Sequence, residues 1–232
     1  LVALDVDNLP DALRLVEELR EHVRGFKVGL ELCTNIGVQT AIAAISAAGG
    51  ELFVDLKLVD IPNTVAAAAR AVARPGVYMF NVHCAGGTAM MRAAAEVAHA
   101  APTRPLVLGV TLVTSLDETN LHDELDVPSA LSEYVVHMAR LAQGSGLDGV
   151  VCSAHEVSAV KAACGQDFVV VVPGVRPAWA EANDQKRMMT PAETVRAGAN
   201  FVVVGRPITR PPAAIGSPAD AARRIMDEIA AG

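Results

Sequence analysis

Short apolar runs broken by polar residues at every second position recur along the chain, and each is followed by a stretch in which apolar residues return every three or four positions. A period of two marks a strand and a period of 3.6 a helix. The first strand lies within residues 1–7, and Asn8 and Pro10 then open a helix carrying Leu13, Val16, Leu19 and Val23 at helical spacing. Further strands are expected at 26–30, 52–58, 77–83, 106–112, 148–152, 168–172 and 201–204. The helices between and after them fall at 36–48, closed by Gly49-Gly50, from Pro62 through Val72, at 87–100, 129–142 and 155–163, near 190–197 and over 217–230. Strands alternating with helices imply a parallel sheet. Eight such repeats at this length favour a closed (β/α)8 barrel, with residues 1–232 as a single TIM-barrel domain, over an open doubly wound sheet.

Three of these strands break the pattern with charge. In 52–58, Leu52, Val54, Leu56 and Leu58 share one face, while Asp55 and Lys57 share the other, about 6.6 Å apart at the usual rise of a strand. In the first strand Asp5 opposes Val2, Leu4 and Val6, and in the second Lys27 opposes Phe26, Val28 and Leu30. Taken alone, the pattern of 52–58 also fits an edge strand with a solvated ion pair. Together the three strands aim Asp5, Lys27, Asp55 and Lys57 away from their apolar faces as one charge cluster. Burying an unpaired charge is costly, so acids and bases this close either neutralise one another or are held for chemistry.

The longest connections, 113–128 and 173–190, follow strands and would lie on the C-terminal face, where barrel enzymes place their sites. Gly205-Arg206-Pro207 ends the last strand, a frequent phosphate position in barrels, where backbone N–H groups and a guanidinium fork meet the anion. The plainer reading is a capping glycine beside a surface arginine. Arg176 and Gln185 stand at either end of the seventh loop, one suited to a phosphate and the other to bridging phosphate and base; the plainer reading is a solvated polar loop. His83, at the end of the fourth strand, is read as held structurally rather than as a general base. Tyr78 and Phe80 are expected on the helix-facing side, and Trp179 with Met188-Met189 as lid packing.

Composition narrows the partners. A net charge of −7, aromatics at 3% and no cluster of Lys and Arg argue against nucleic acid, while leaving room for a small anion. No stretch approaches the roughly 20 apolar residues that span a bilayer, and no leader is visible, so neither a membrane nor export is expected. Cys33, Cys84, Cys152 and Cys164 form no Cys-x-x-Cys pair and have no His at metal-ligand spacing. They are read as reduced core residues of a cytoplasmic protein that uses no metal site.

With these residues assembled, the chain resembles the bacterial-type orotidine 5′-monophosphate decarboxylases. The resemblance rests on Leu-Asp-Val at 4–6, Phe-Lys-Val-Gly-Leu-Glu-Leu at 26–32, Asp-Leu-Lys-Leu-Val-Asp-Ile-Pro-Asn-Thr at 55–64 and Val-His at 82–83. It continues through Pro-Gly-Val-Arg-Pro at 173–177, Asp-Gln-Lys-Arg at 184–187 and Val-Gly-Arg-Pro-Ile-Thr at 204–209, and so covers the whole chain. Cys33-Thr34-Asn35 and Ala178-Trp179-Ala180 depart from the family's usual pattern. The resemblance implies conversion of orotidine 5′-monophosphate to uridylate and CO2 without metal or organic cofactor. It implies Lys57 as proton donor to C6 of the pyrimidine, Asp55 as the carboxylate facing the departing CO2, and Lys27 and Asp5 at the ribose. It further implies Thr114 and Gln185 at the pyrimidine, Arg176, Gly205 and Arg206 at the phosphate, and Asp60 and Thr64 lent across the interface of a homodimer. Two alternatives stay open: a barrel decarboxylase or aldolase acting on sugar phosphates through a magnesium-stabilised enediolate, and a catalytically silent dimer that binds nucleotide.

Overall fold

The computed structural model describes residues 1–180 and 189–231. Its strands are β1 (Val2–Ala3), β2 (Phe26–Val28), β3 (Leu52–Leu58), β4 (Val77–His83), β5 (Leu106–Val110), β6 (Gly149–Val151), β7 (Val169–Pro173) and β8 (Phe201–Val203). They pair in parallel in chain order. A parallel bridge between Val2 and Val204 joins the two ends of the sheet, with Ala3 N–H donating to the Val204 carbonyl at 2.9 Å and Val204 N–H to the Leu1 carbonyl at 3.0 Å. The sheet is thereby a closed barrel.

Alternation along the strands divides the buried residues into two sets. Ala3, Phe53, Met79, Leu108, Val110, Val151, Val171 and Val203 fill the interior. Val2, Phe26, Val28, Leu52, Val54, Phe80, Val82, Val170 and Val202 face outward, against the helices. Those helices are α1 (Leu9–Leu19), α2 (Leu30–Ile36), α3 (Val38–Ala47), α4 (Pro62–Val72), α5 (Gly87–Ala100), α6 (Leu131–Gly144), α7 (Val157–Cys164), α8 (Pro191–Arg196), α9 (Arg206–Thr209) and α10 (Pro218–Ala231). Their starts follow local chemistry. Asn8 caps α1 by accepting from Asp11 N–H, Pro62 occupies the first turn of α4, and Thr190 with Glu193 closes a capping box over α8.

Four expectations change. α1 ends at Leu19, short of Val23, and buries Ala12, Leu15, Val16 and Leu19. Strand β2 stops at Val28, because Gly29 caps a helix that begins at Leu30; Leu30 is accordingly 57% exposed and shares no face with Phe26. The helix expected at 36–48 is the second of two, α2 and α3, bent by 102° at Gly37. Tyr78 is skipped where Leu52 pairs with Val77 and Phe53 with Met79. That bulge turns Tyr78 toward the start of the barrel, edge-on to Phe201 at 5.9 Å and beneath the Arg24 guanidinium, while Phe80 keeps its outward face. Among the described residues, no single helix is long and apolar enough to cross a membrane.

Candidate active site

The C-terminal ends of the strands enclose a cavity of about 300 Å³. Its floor is the apolar interior, Ala3, Phe53, Val110, Val151 and Val203, and on that floor stand the four charges that strand alternation singles out. They form a chain of alternating sign. Lys27 Nζ lies 3.3 Å from Asp5 Oδ1 and 3.4 Å from Asp55 Oδ2, and Lys57 Nζ donates to Asp55 Oδ1 at 2.8 Å. The middle pair is the buried one, with Lys27 12% and Asp55 14% exposed against 34% for Lys57 and 54% for Asp5, so electrostatics are least screened between Lys27 and Asp55. Gly29 leaves room for this arrangement, since a Cβ there would stand 3.0 Å from Lys27 Nζ.

Burial works against both members of the middle pair, and the neighbouring charges outweigh it. Asp55 would be pushed up by desolvation, but Lys27 and Lys57, with hydrogen bonds from Lys57 and Asn81, hold it below the ordinary carboxylate value. Desolvation pulls the Lys27 ammonium down, and the charges of Asp55 and Asp5 more than offset it, leaving its pKa raised. Both groups are therefore ionised at neutral pH.

The strand that carries Asp55 and Lys57 is not regular. Its ladder with β4 shifts register between Val54 and Leu58, and Lys57 takes a left-handed backbone, φ 51°. A non-glycine residue there is destabilised by about 1–2 kcal/mol, so the surroundings must hold it. Asn81 does so: fully buried in β4, it accepts the Lys57 N–H at 2.8 Å and donates to Asp55 Oδ1 at 2.7 Å. Asn81 is not among the residues singled out from the sequence. The signal was present, a polar residue in an apolar strand, two positions before His83 and beside the charged strand.

The remaining sequence candidates divide three ways. Thr114, Arg176, Gly205 and Arg206 all line the cavity, from the loops after β5 and β7 and from the end of β8. Arg206 is exposed and begins the short α9, with Gly205 as its cap, while Arg176 is 8% exposed. The Thr114 loop is pinned by its own bonds: Asp117 and Asn120 bond reciprocally, and Glu118 accepts from Leu131 N–H. Asp60 and Thr64 are not among the described residues that line the cavity; both are exposed at the start of α4, with Asp60 Oδ1 accepting from Ile61 N–H at 2.6 Å. Gln185 and Met188 lie outside the described residues. His83 Nδ1 accepts from Ala85 N–H at 3.2 Å and caps a single 3-10 turn. Burial and the charge of Lys57 lower its pKa, which fits a neutral, structural imidazole. Trp179 and Met189 pack against the outer core. Cys33, Cys84 and Cys152 are buried and Cys164 half-buried.

The family model described as orotidine 5′-phosphate decarboxylase / HUMPS matches residues 1–225. The chain is 48% identical over 237 residues to the orotidine 5′-phosphate decarboxylase of Heliobacterium modesticaldum, covering 100% of this chain and 96% of that protein. It is 50% identical over 236 residues to that of Syntrophotalea carbinolica, covering 100% and 94%. Among solved structures, the orotidine 5′-phosphate decarboxylase of Lactobacillus acidophilus superposes with a TM-score of 0.84 at 35% identity, covering 98% of this chain and 97% of that one.

Proposed function

The chain belongs to the orotidine 5′-phosphate decarboxylase / HUMPS family, and from that membership we propose how its residues divide the work of the reaction. The reaction is that of a carboxy-lyase in pyrimidine biosynthesis, orotidine 5′-phosphate giving UMP and CO2. The observation that carries the assignment is the chain Asp5, Lys27, Asp55, Lys57 on the floor of a cavity also lined by Arg176 and Arg206.

The guanidinium groups of Arg176 and Arg206, with the backbone at Gly205, take the phosphate. Asp5 and Lys27 meet the ribose hydroxyls, and Thr114 and Gln185 the pyrimidine. The ring then lies with its carboxylate toward Asp55 and C6 beside Lys57. When the bond from C6 to the carboxylate carbon breaks, CO2 leaves and the electron pair stays on C6, where the ring delocalises it poorly. A fixed ammonium at that position stabilises the developing anion more than the substrate, which is what lowers a barrier. Lys57 then gives its proton to C6, forming UMP, and the neutral amine regains a proton from solvent. The route needs no metal or organic cofactor.

The whole chain acts as one cytoplasmic catalytic unit, working as a homodimer in which Asp60 and Thr64 of each protomer complete the other's site. Supporting this, Asp60 lies between Val59, 58% exposed, and Ile61, 67% exposed, an apolar surface next to an acid that its own cavity does not use.

The test follows the loss of pyrimidine absorbance when purified protein meets orotidine 5′-phosphate in EDTA, beside a Lys57→Ala variant. The parent is expected to turn over with the chelator present. The variant should lose about 10⁴-fold or more in kcat, the combined effect of a general acid and an electrostatic stabiliser. Activity surviving in Lys57→Ala would remove Lys57 from both roles, and a magnesium requirement would move the chemistry toward an enediolate.

A further inference from the structure

We propose that Asn81 is a positioning residue for the decarboxylation, tying the Asp55 carboxylate and the Lys57 main chain into one rigid unit; this rests on the reading of Lys57 and Asp55 given above. Between the pairs Val54 with Phe80 and Leu58 with Val82, β3 sets Asp55, Leu56 and Lys57 against the single residue Asn81. Lys57 falls in the register shift and has no paired residue in β4, and the Asn81 carboxamide takes its N–H. Its oxygen accepts that N–H at 2.8 Å, and its nitrogen donates at 2.7 Å to Asp55 Oδ1, the same oxygen that receives Lys57 Nζ at 2.8 Å.

A closed ring results. Lys57 is held at its backbone directly by Asn81 and at its ammonium through Asp55, which Asn81 also holds. The amide's orientation is determined by the ring, because reversing it would set oxygen against carboxylate and NH2 against N–H. Asn81 is fully buried, so in the intact protein bulk water does not compete for these two bonds. The ammonium is thereby placed before substrate arrives, and an error of about 1 Å in such a group is enough to lower a rate about 10²-fold. Arg176 follows β7 and Arg206 opens α9, both apart from β3 and β4, so nucleotide binding through the phosphate should survive the loss of Asn81.

The experiment compares kcat for orotidine 5′-phosphate with the calorimetric Kd for UMP in Asn81→Asp and Asn81→Ala, with Lys57→Ala as control. The isosteric Asn81→Asp keeps the acceptor for Lys57 N–H and sets a second carboxylate against Asp55; Asn81→Ala removes both bonds. Each should lower kcat about 10²-fold or more, with the UMP Kd moving less than about tenfold. A kcat near the parent's in Asn81→Asp, or kcat and UMP affinity falling in parallel, overturns the proposal. Should neither variant fold, hydrogen exchange in the parent decides: the Lys57 amide must exchange at least about 10²-fold more slowly than in an unstructured peptide, and rapid exchange refutes the ring. Lys57→Ala separates the two readings. If it stays active the role of Lys57 fails, whereas if it is inactive and Asn81→Asp is not impaired, only the role of Asn81 fails.

Discussion

Asp55 accepts hydrogen bonds from Lys57 and Asn81 and lies 3.4 Å from Lys27, so two buried or half-buried ammonium groups depend on its charge. Its pKa is lowered on folding, which means its ionic contribution to stability is complete above the unfolded value of about 3.9 and is lost as pH falls through the lower folded value. Lys27 has the opposite sign. Its pKa is raised, so its contribution holds below about 10.4 and is lost as pH climbs through the folded value. Between roughly pH 4 and 10 the pair is intact. Replacing Asp55 by Asn leaves Lys27, among the described residues, with the exposed Asp5 as its one remaining acid, and should lower stability at pH 7 by about 2–4 kcal/mol, measured by urea unfolding, because one partner of a buried pair is removed. The variant should also lose less stability than the parent on acidification below about pH 4. Equal stability of the two proteins at pH 7 would mean that solvent, not the carboxylate, neutralises Lys27. Strand alternation alone reveals that Asp55 and Lys57 face the same way as Lys27. It cannot reveal the left-handed turn at Lys57, since a bulge changes register without changing composition.

At the scale of elements, the segment after β2 shows where periodicity gives two answers. Phe26, Val28 and Leu30 alternate as a strand, while Leu32 and Cys33 are the buried residues of a helix starting at Leu30, and Gly29 satisfies either pattern. The structure ends the strand one residue before Gly29, which brings the helix start next to Lys27. Gly37 then takes φ 84°, ψ 138°, a region essentially reserved for glycine, and lets α3 leave α2 at a sharp angle. A Cβ at Gly37 would meet only Thr40 Oγ1, at 3.8 Å, so a side chain fits in space and the penalty is in the backbone. Gly37→Ala should therefore lower the unfolding free energy by about 1–3 kcal/mol, read as a shift in urea midpoint at constant slope. An unchanged midpoint would show that the hinge is not strained by a side chain.

At the scale of the molecule, eight strands and their order were readable because an interior filled by one face and a helix layer covered by the other impose a single alternation on every strand. What a second copy would contribute is not written in one chain's periodicity: Asp60 and Thr64 look like ordinary exposed residues at a helix start, and only the resemblance implies a role for them across an interface. The proposed sharing of sites in a homodimer has an arithmetic consequence. A Lys57→Ala protomer keeps Asp60, and an Asp60→Asn protomer keeps Lys57, so each homodimer has two defective sites. A mixed dimer regains one intact site, with Lys57 from one chain and Asp60 from the other, and one that lacks both. Random re-association of equal amounts puts half the dimers in the mixed state, so two nearly inactive proteins should recover about a quarter of the parent kcat per protomer after unfolding and refolding together. Mixing without refolding should recover it only as fast as protomers exchange. Refolded mixtures no more active than their components would place Asp60 in its own protomer's chemistry, or in none, and the two-chain site would have to be abandoned while the charge chain on the barrel floor stands.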